Sequence, residues 1–298
     1  MWALTTAEFG NEPTACLMVG DTLYPLNELA AAHDVALPET VAGVFADWAR
    51  CEPLLADLAH DATGGRRVAE IQLLAPLQYP GKILCAGANY YDHMAEMGFP
   101  GVTKDSQRLF FFMKPPRNAI VGPGATVLMP RGTQAFDWEI ELAAVVGRTA
   151  RHVSVDEALS YIAGYTVAID FSARDFNKAP EQFYKLDWVA GKANDTCCPI
   201  GPCITPASLF PNPQAARLRL SVNGELKQNG SAEQMIFSIA EQVARASEIM
   251  TLDPGDLLLT GTPAGVGVPK QTFLKVGDRV DAEIDGIGKL SVTIAGEA

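Results

Sequence analysis

DWEIELAAVVG, residues 137–147, places carboxylates at Asp137, Glu139 and Glu141 and then runs apolar to Gly147. Side chains alternate across a strand, so the three acids face one way while Trp138, Ile140 and Leu142 face the other. A surface strand would leave that acidic face in water. Two features point inward instead. The acidic face continues into Ala143 and Val145, and residues 142–146 are apolar on both faces. Carboxylates carried into an interior repel one another, and burying them uncompensated is expensive. A bound cation keeps them ionised.

Twenty-odd residues on, GYTVAID (164–170) is an unbroken apolar run that ends in a carboxylate. The following SARD reads as a helix start, with Ser172 as N-cap and Asp175 completing a capping box, which leaves Asp170 free for another task. Glu139, Glu141 and Asp170 then form a ligand set of hard oxygens without His or Cys. Such a set suits Mg²⁺ or Mn²⁺ and also accommodates Ca²⁺.

Around these two strands the chain from Gly81 onward alternates short apolar runs with Gly and Pro: KILCAG, RLFFFMK, IELAAVVG, ARLRLSVNG, DLLLTGTP, KLSVTI. That texture predicts a β-rich α+β domain with few helices over residues 79–298. The clearest helix spans 238–250, with Ile239, Val243, Ala246 and Met250 on one face. Residues 1–78 read as a small separate α/β domain. It comprises a hairpin (14–18 and 21–26), helices near 27–34 and 41–57, a DATGGRR loop and a strand from Ile71 to Leu74.

Composition narrows the function classes. The 298 residues carry a formal net charge of -12, which repels nucleic acid and anionic membrane surfaces. No apolar run approaches the roughly 20 residues that span a bilayer, and the start MWALTTAEFG has no basic segment before an apolar one. Six cysteines without a CxxC pair fit reduced thiols in a cytoplasmic protein. Their spacing, with four scattered histidines, offers no zinc site. An anionic ligand needs locally clustered cations, and Lys178, Lys185 and Lys192 supply one such region. Lys114 follows a buried-looking strand and is another candidate.

Two further segments carry chemistry. Asn89-Tyr-Tyr-Asp92 reads as the cap of a short helix that ends at Gly98, before Phe99-Pro100, which sets His93 and Glu96 three apart on one face. An exposed i,i+3 pair is the plainer alternative. GFPGVTK (98–104) has the composition of a mobile lid. TGTPAGVG (260–267) lacks the GK[ST] ending of a phosphate loop. Its backbone N–H groups and the Thr262 hydroxyl suit a substrate carboxylate, and a plain hairpin connection is the alternative.

Taken together, GKILCAGANYYDHMAEMG (81–98), FFMKPPRNAIVGPG (111–124), DWEIELAAVVG, GYTVAIDFSARD (164–175), VNGELKQNG (222–230) and LLLTGTPAGVG (257–267) resemble the fumarylacetoacetate hydrolase family. They occur in the family's order over about two-thirds of the chain. The resemblance implies a β-rich fold behind a small N-terminal module, a homodimer, and Mg²⁺ or Mn²⁺ at Glu139, Glu141 and Asp170, with Asp137 outside the ligand pattern. It also implies a His93–Glu96 dyad that activates water, Lys192 and Arg174 near the metal, and Gly261 and Thr262 at a substrate carboxylate. The activity implied is hydrolysis of a C–C bond in an acylpyruvate such as maleylpyruvate or fumarylpyruvate, in aromatic-compound catabolism, with a small anionic 2-oxo acid as substrate. Isomerisation or decarboxylation of a 2-oxo diacid uses the same site. A non-catalytic, metal-stabilised binding protein is the alternative from another class. One departure stands out: where fumarylacetoacetate-cleaving members carry a substrate-contacting glutamine beyond the arginine, this chain has Asp175-Phe176-Asn177-Lys178.

Overall fold

Strand Ile140–Val146 is buried along its whole length and lies inside a mixed sheet. The computed structural model describes residues 1–297. On one side the strand pairs antiparallel with Ile162–Ile169, with Ile140 opposite Ile169 and Glu141 opposite Ala168. On the other it pairs antiparallel with Leu257–Leu259, which runs parallel to Ile83–Gly87. Those registers bring the start of one strand and the ends of three others to one edge of the sheet. Glu139, Asp170, Thr260 and Ala88 all follow or precede strands at that edge.

The strand's two faces meet different cores. Leu142, Ala144 and Val146 pack into the larger cluster with Leu218, Leu220, Val280 and Leu290 of a second, five-stranded sheet. Ala143 and Val145 pack with Val44, Phe45 and Leu55. Burying each of Leu142, Val145 and Val146 contributes about 1.5–3 kcal/mol, so the strand is held firmly from both sides. Glu139 and Glu141 share parity with Ala143 and Val145, as strand alternation predicts. The pairing breaks between Asp137 and Ile140, however: Phe136–Asp137 pairs with Ser172–Ala173 in a separate two-stranded piece.

That piece corrects one expectation. Ser172 caps no helix, and its hydroxyl donates to the Asp170 carbonyl. Asp175 accepts from the Thr133 hydroxyl at 2.5 Å and from the Gln134 N–H at 2.7 Å. The local capping pattern loses to partners some forty residues away in the chain.

The N-terminal strands do not form a sheet of their own. Trp2–Phe9, unexpected from the sequence, pairs with Glu12–Val19 and joins the large sheet through Leu4 opposite Ile204. The hairpin appears as Glu12–Val19 and Thr22–Pro25. The first expected helix is Leu26–Ala32, and the second divides into Val41–Ala46 and Trp48–Asp61 at Asp47, whose φ of -128° is not helical. Ile71–Leu74 is not a strand. It lies beside Trp2–Phe9 through a bridge between Ala7 and Leu73. The long helix is Ile239–Ile249, opened by a capping box of Ser238 and Glu241. Among the described residues no helix is long and apolar enough to cross a membrane.

Candidate functional site

Glu139, Glu141 and Asp170 each bring a carboxylate oxygen within 4.8 Å of the others, and all three are buried. The backbone enforces this: Ile140 and Ile169 are paired, and the Asp170 N–H donates to the Glu139 carbonyl at 2.8 Å.

Three cations are threaded among the acids. Lys192 Nζ bridges Glu139 Oε2 at 2.5 Å and Asp170 Oδ2 at 2.6 Å. Lys114 Nζ donates to Asp170 Oδ1 at 2.6 Å and to the Phe171 carbonyl at 3.0 Å. Arg174 reaches Glu139 Oε1 at 2.6 Å through Nη2 and Asp137 Oδ2 at 3.0 Å through Nε. Asp137, Glu139, Glu141 and Asp170 thus set four acids against three cations, one acid in excess, in a buried cluster. Asp137 is turned to Arg174 and to the Trp138 and Gly267 N–H groups.

The surplus falls on Glu141. Burial and the neighbouring Asp170 and Glu139 push its carboxyl well above the usual range, and its hydrogen bond comes from the Gly261 N–H at 2.6 Å. Burial acts on Glu139 too, but Arg174 and Lys192 outweigh it and hold that carboxyl well below the usual range. Lys192 keeps its proton: burial disfavours its charge, and Asp170 and Glu139 more than restore it.

His93 and Glu96 lie on the short helix Tyr91–Glu96, with His93 Nδ1 2.9 Å from Glu96 Oε1. His93 is buried, which removes the exposed-pair alternative. Asn89 does not cap this helix. Its amide donates to the Phe237 and Thr260 carbonyls and accepts from the Phe237 N–H, fixing the helix entry against the end of strand Leu257–Leu259.

The glycine-rich segment 260–267 does bind carboxylates, but they are the chain's own. The N–H of Gly261 goes to Glu141, that of Gly267 to Asp137, and those of Gly265 and Val266 to Glu96 at 2.8 and 3.4 Å. The Thr262 hydroxyl donates to the Ile140 carbonyl at 2.8 Å. Gly261 N–H and the Thr262 hydroxyl thus have partners within the chain, and both residues line the pocket. Glycine is needed at 265, where φ is +111° and a Cβ would stand 2.1 Å from the Lys227 carbonyl.

Gln228 was not foreseen. Wholly buried on strand Glu225–Ser231, it accepts from the Ile140 N–H at 2.9 Å and donates to Thr262 Oγ1 and the Pro263 carbonyl, both at 2.8 Å. It ties the residue between the two glutamates to the glycine-rich segment. A glutamine at an inward position of VNGELKQNG was the signal.

The site opens on one pocket of about 220 Å³. Glu139, Glu141, Asp170, Lys192, Arg174, His93, Gly261 and Thr262 line it. Lys114 and Glu96 stand behind the wall and act on it through Asp170 and His93.

A β-rich α+β protein with a buried, all-carboxylate candidate metal centre at the ends of its central strands is the class these features define. Within that class the chain belongs to the fumarylacetoacetate hydrolase family: the family model described as Fumarylacetoacetate (FAA) hydrolase C-terminal matches residues 82–295. An oxaloacetate tautomerase of Xenopus laevis, described as mitochondrial, is 41% identical over 225 residues, covering 75% of this chain and 68% of that protein. The solved fumarylpyruvate hydrolase of Pseudomonas aeruginosa, in complex with Mn²⁺ and pyruvate, is 35% identical. It covers 76% of this chain and 92% of its own, with a TM-score of 0.66. A fumarylacetoacetate hydrolase from Exiguobacterium antarcticum matches the whole length of both chains at 29% identity and a TM-score of 0.83.

Proposed function

We propose that the chain is a divalent-cation-dependent enzyme that carries a small 2-oxo acid through its enolate, and that its reaction is hydrolysis of an acylpyruvate. The observation that carries this is His93, backed by Glu96, opening on the same pocket as Glu139, Glu141 and Asp170.

The residues fit a cation. Three oxygen donors converge, the cluster has one more carboxyl than it has cations, and Glu141 has no cationic hydrogen-bond partner among the described residues. Hard oxygen ligands favour Mg²⁺ or Mn²⁺, with Ca²⁺ also accommodated. When bound, the cation supplies a Lewis acid for the oxygens of the 2-oxo acid.

The chain's own groups manage the proton. Both Glu96 oxygens are held by backbone N–H groups, so the carboxylate fixes the ring with its Nδ1–H turned to Glu96 and Nε2 free to accept. His93 takes a proton from water, and the water oxygen bonds to the acyl carbonyl carbon. The bond between that carbon and the pyruvoyl C3 breaks, its electron pair remaining on pyruvate as the enolate. His93 then returns the proton to C3, giving pyruvate and a carboxylic acid. Lys192 holds a full positive charge at the pocket wall, where negative charge develops.

A second reading, tautomerisation of oxaloacetate, is favoured by the 41% identical relative of that name. It moves a proton between C3 and the enol oxygen, with His93 as carrier, and needs neither water nor C–C cleavage. Pyruvate release from acylpyruvates, read by a coupled dehydrogenase, and the enol absorbance of oxaloacetate separate the two. Turnover that survives EDTA or Glu139→Ala refutes the metal assignment, and full activity of His93→Ala refutes the base. The six free thiols suit a reducing compartment such as the cytoplasm. Phe183, Tyr184 and Val189, 89, 82 and 73% exposed, support a homodimer that covers them.

A further inference from the structure

The pocket has a charged inner half and an apolar outer half. Met94 and Met97 edge the outer half from the His93 helix, with Phe99 beyond them. Phe110 and Phe112, two apart on strand Phe110–Met113, present one face to Trp188. The Phe112 and Trp188 rings stack with centroids 5.1 Å apart at 17°, and Phe110 tilts against Trp188 at 5.6 Å. Phe99, Phe110 and Trp188 are 59, 36 and 37% exposed, so this wall is open to water.

Lys192 Nζ stands 5.0 Å from the Phe112 ring centroid, where the two halves meet, and it is already held by Glu139 and Asp170. Among the described residues lining the pocket the Lys and Arg side chains are Arg174 and Lys192, and each already bridges two carboxylates. The polar group nearest the departure from the family pattern is the neutral amide of Asn177.

We propose that the acyl half of the substrate is uncharged and apolar, an alkyl or aryl ketone, and not a chain ending in a second carboxylate. This rests on the acylpyruvate reading above. A distal carboxylate would exchange water for aromatic faces that present negative charge, with the lining cations already paired to the chain's own acids. An alkyl or aryl group instead removes its own apolar surface and that of Trp188 and Phe110 from water. The net charge of -12 also repels a dianion more than a monoanion at long range.

A matched set tests it: benzoylpyruvate, its para-carboxamide and its para-carboxylate, which differ in one group. Dissociation constants come from tryptophan fluorescence of the Mg²⁺-loaded protein, and pyruvate release is followed separately. The phenyl and carboxamide compounds should bind about tenfold or more tightly than the carboxylate. Phe110→Lys and Trp188→Lys, two independent sites, should each narrow that gap. Equal or tighter binding of the carboxylate by the unaltered protein overturns the inference. Binding in the expected order without pyruvate release overturns the hydrolase reading and leaves the character of the outer half standing. Failure of all three to bind overturns both.

Discussion

Replacing Gln228 by leucine should cost more than its distance from the carboxylates suggests. The side chain makes three buried hydrogen bonds, to the Ile140 N–H, Thr262 Oγ1 and the Pro263 carbonyl. Leucine fills similar space but leaves the Ile140 N–H without an acceptor, at about 1–3 kcal/mol, and removes two bonds worth about 1 kcal/mol each. The sum is a loss of about 3–5 kcal/mol, read as a lower urea midpoint at unchanged slope. Ile140 separates Glu139 from Glu141, so freeing its backbone should also lower Mn²⁺ affinity about 10–100-fold, in the range of losses when partners of metal ligands are removed. Titration of Mn²⁺ by electron paramagnetic resonance reads that affinity directly. Stability within about 0.5 kcal/mol of the native chain, with unchanged Mn²⁺ affinity, would refute the view that Gln228 holds this strand start in place.

Glu141→Gln should abolish Mn²⁺ binding yet stabilise the EDTA-treated protein. The carboxyl of Glu141 is raised in the fold, so the unaltered apoprotein loses stability as pH climbs above the ordinary carboxylate range, and the glutamine variant should lack that loss; equal melting temperatures across pH would count against it. Glu96→Gln keeps the shape of the dyad but not its charge, and kcat should fall by about 10²–10⁴ with Mn²⁺ affinity intact. Parallel loss of metal binding would show instead that the helix had moved. Burial pushes the thiols of Cys16, Cys197, Cys198 and Cys203 up to about 12, so the native protein should resist alkylation at pH 8 and react at all six cysteines once unfolded. Rapid labelling of the native chain would contradict that burial.

The parts of the site legible in the sequence were those governed by local periodicity. Glu139 and Glu141 follow from alternation, Asp170 from the end of an apolar run, and the helix after Ser238 from its capping box and one-sided face. What escaped depends on partners distant in the chain. Whether the Gly261 N–H serves a ligand or Glu141 is decided by a contact 120 residues away, and the role of Gln228 by one 88 residues away. Ser172 and Asp175 misled for the same reason, since the capping pattern was sound locally and Phe136–Asp137 and Thr133 took those groups first. Trp2–Phe9 was missed because its apolar face is interrupted by Thr5 and Thr6, whose hydroxyls are satisfied only by the Pro202 and Pro76 carbonyls far along the chain.

The segment from Gly261 to Gly267 holds Glu141, Glu96 and Asp137 by main-chain donors alone. Donors of that kind cannot be lost by exchanging a side chain, as long as the backbone keeps its path. Ala264 is half-buried and contributes none of these bonds. Adding or deleting one residue between positions 261 and 267 would instead move all three acids off register in a single event. For anyone reshaping the pocket, its glycine-rich rim tolerates neither a change of length nor a side chain at Gly265 or Gly267, where a Cβ would stand 2.1 and 1.9 Å from backbone carbonyls.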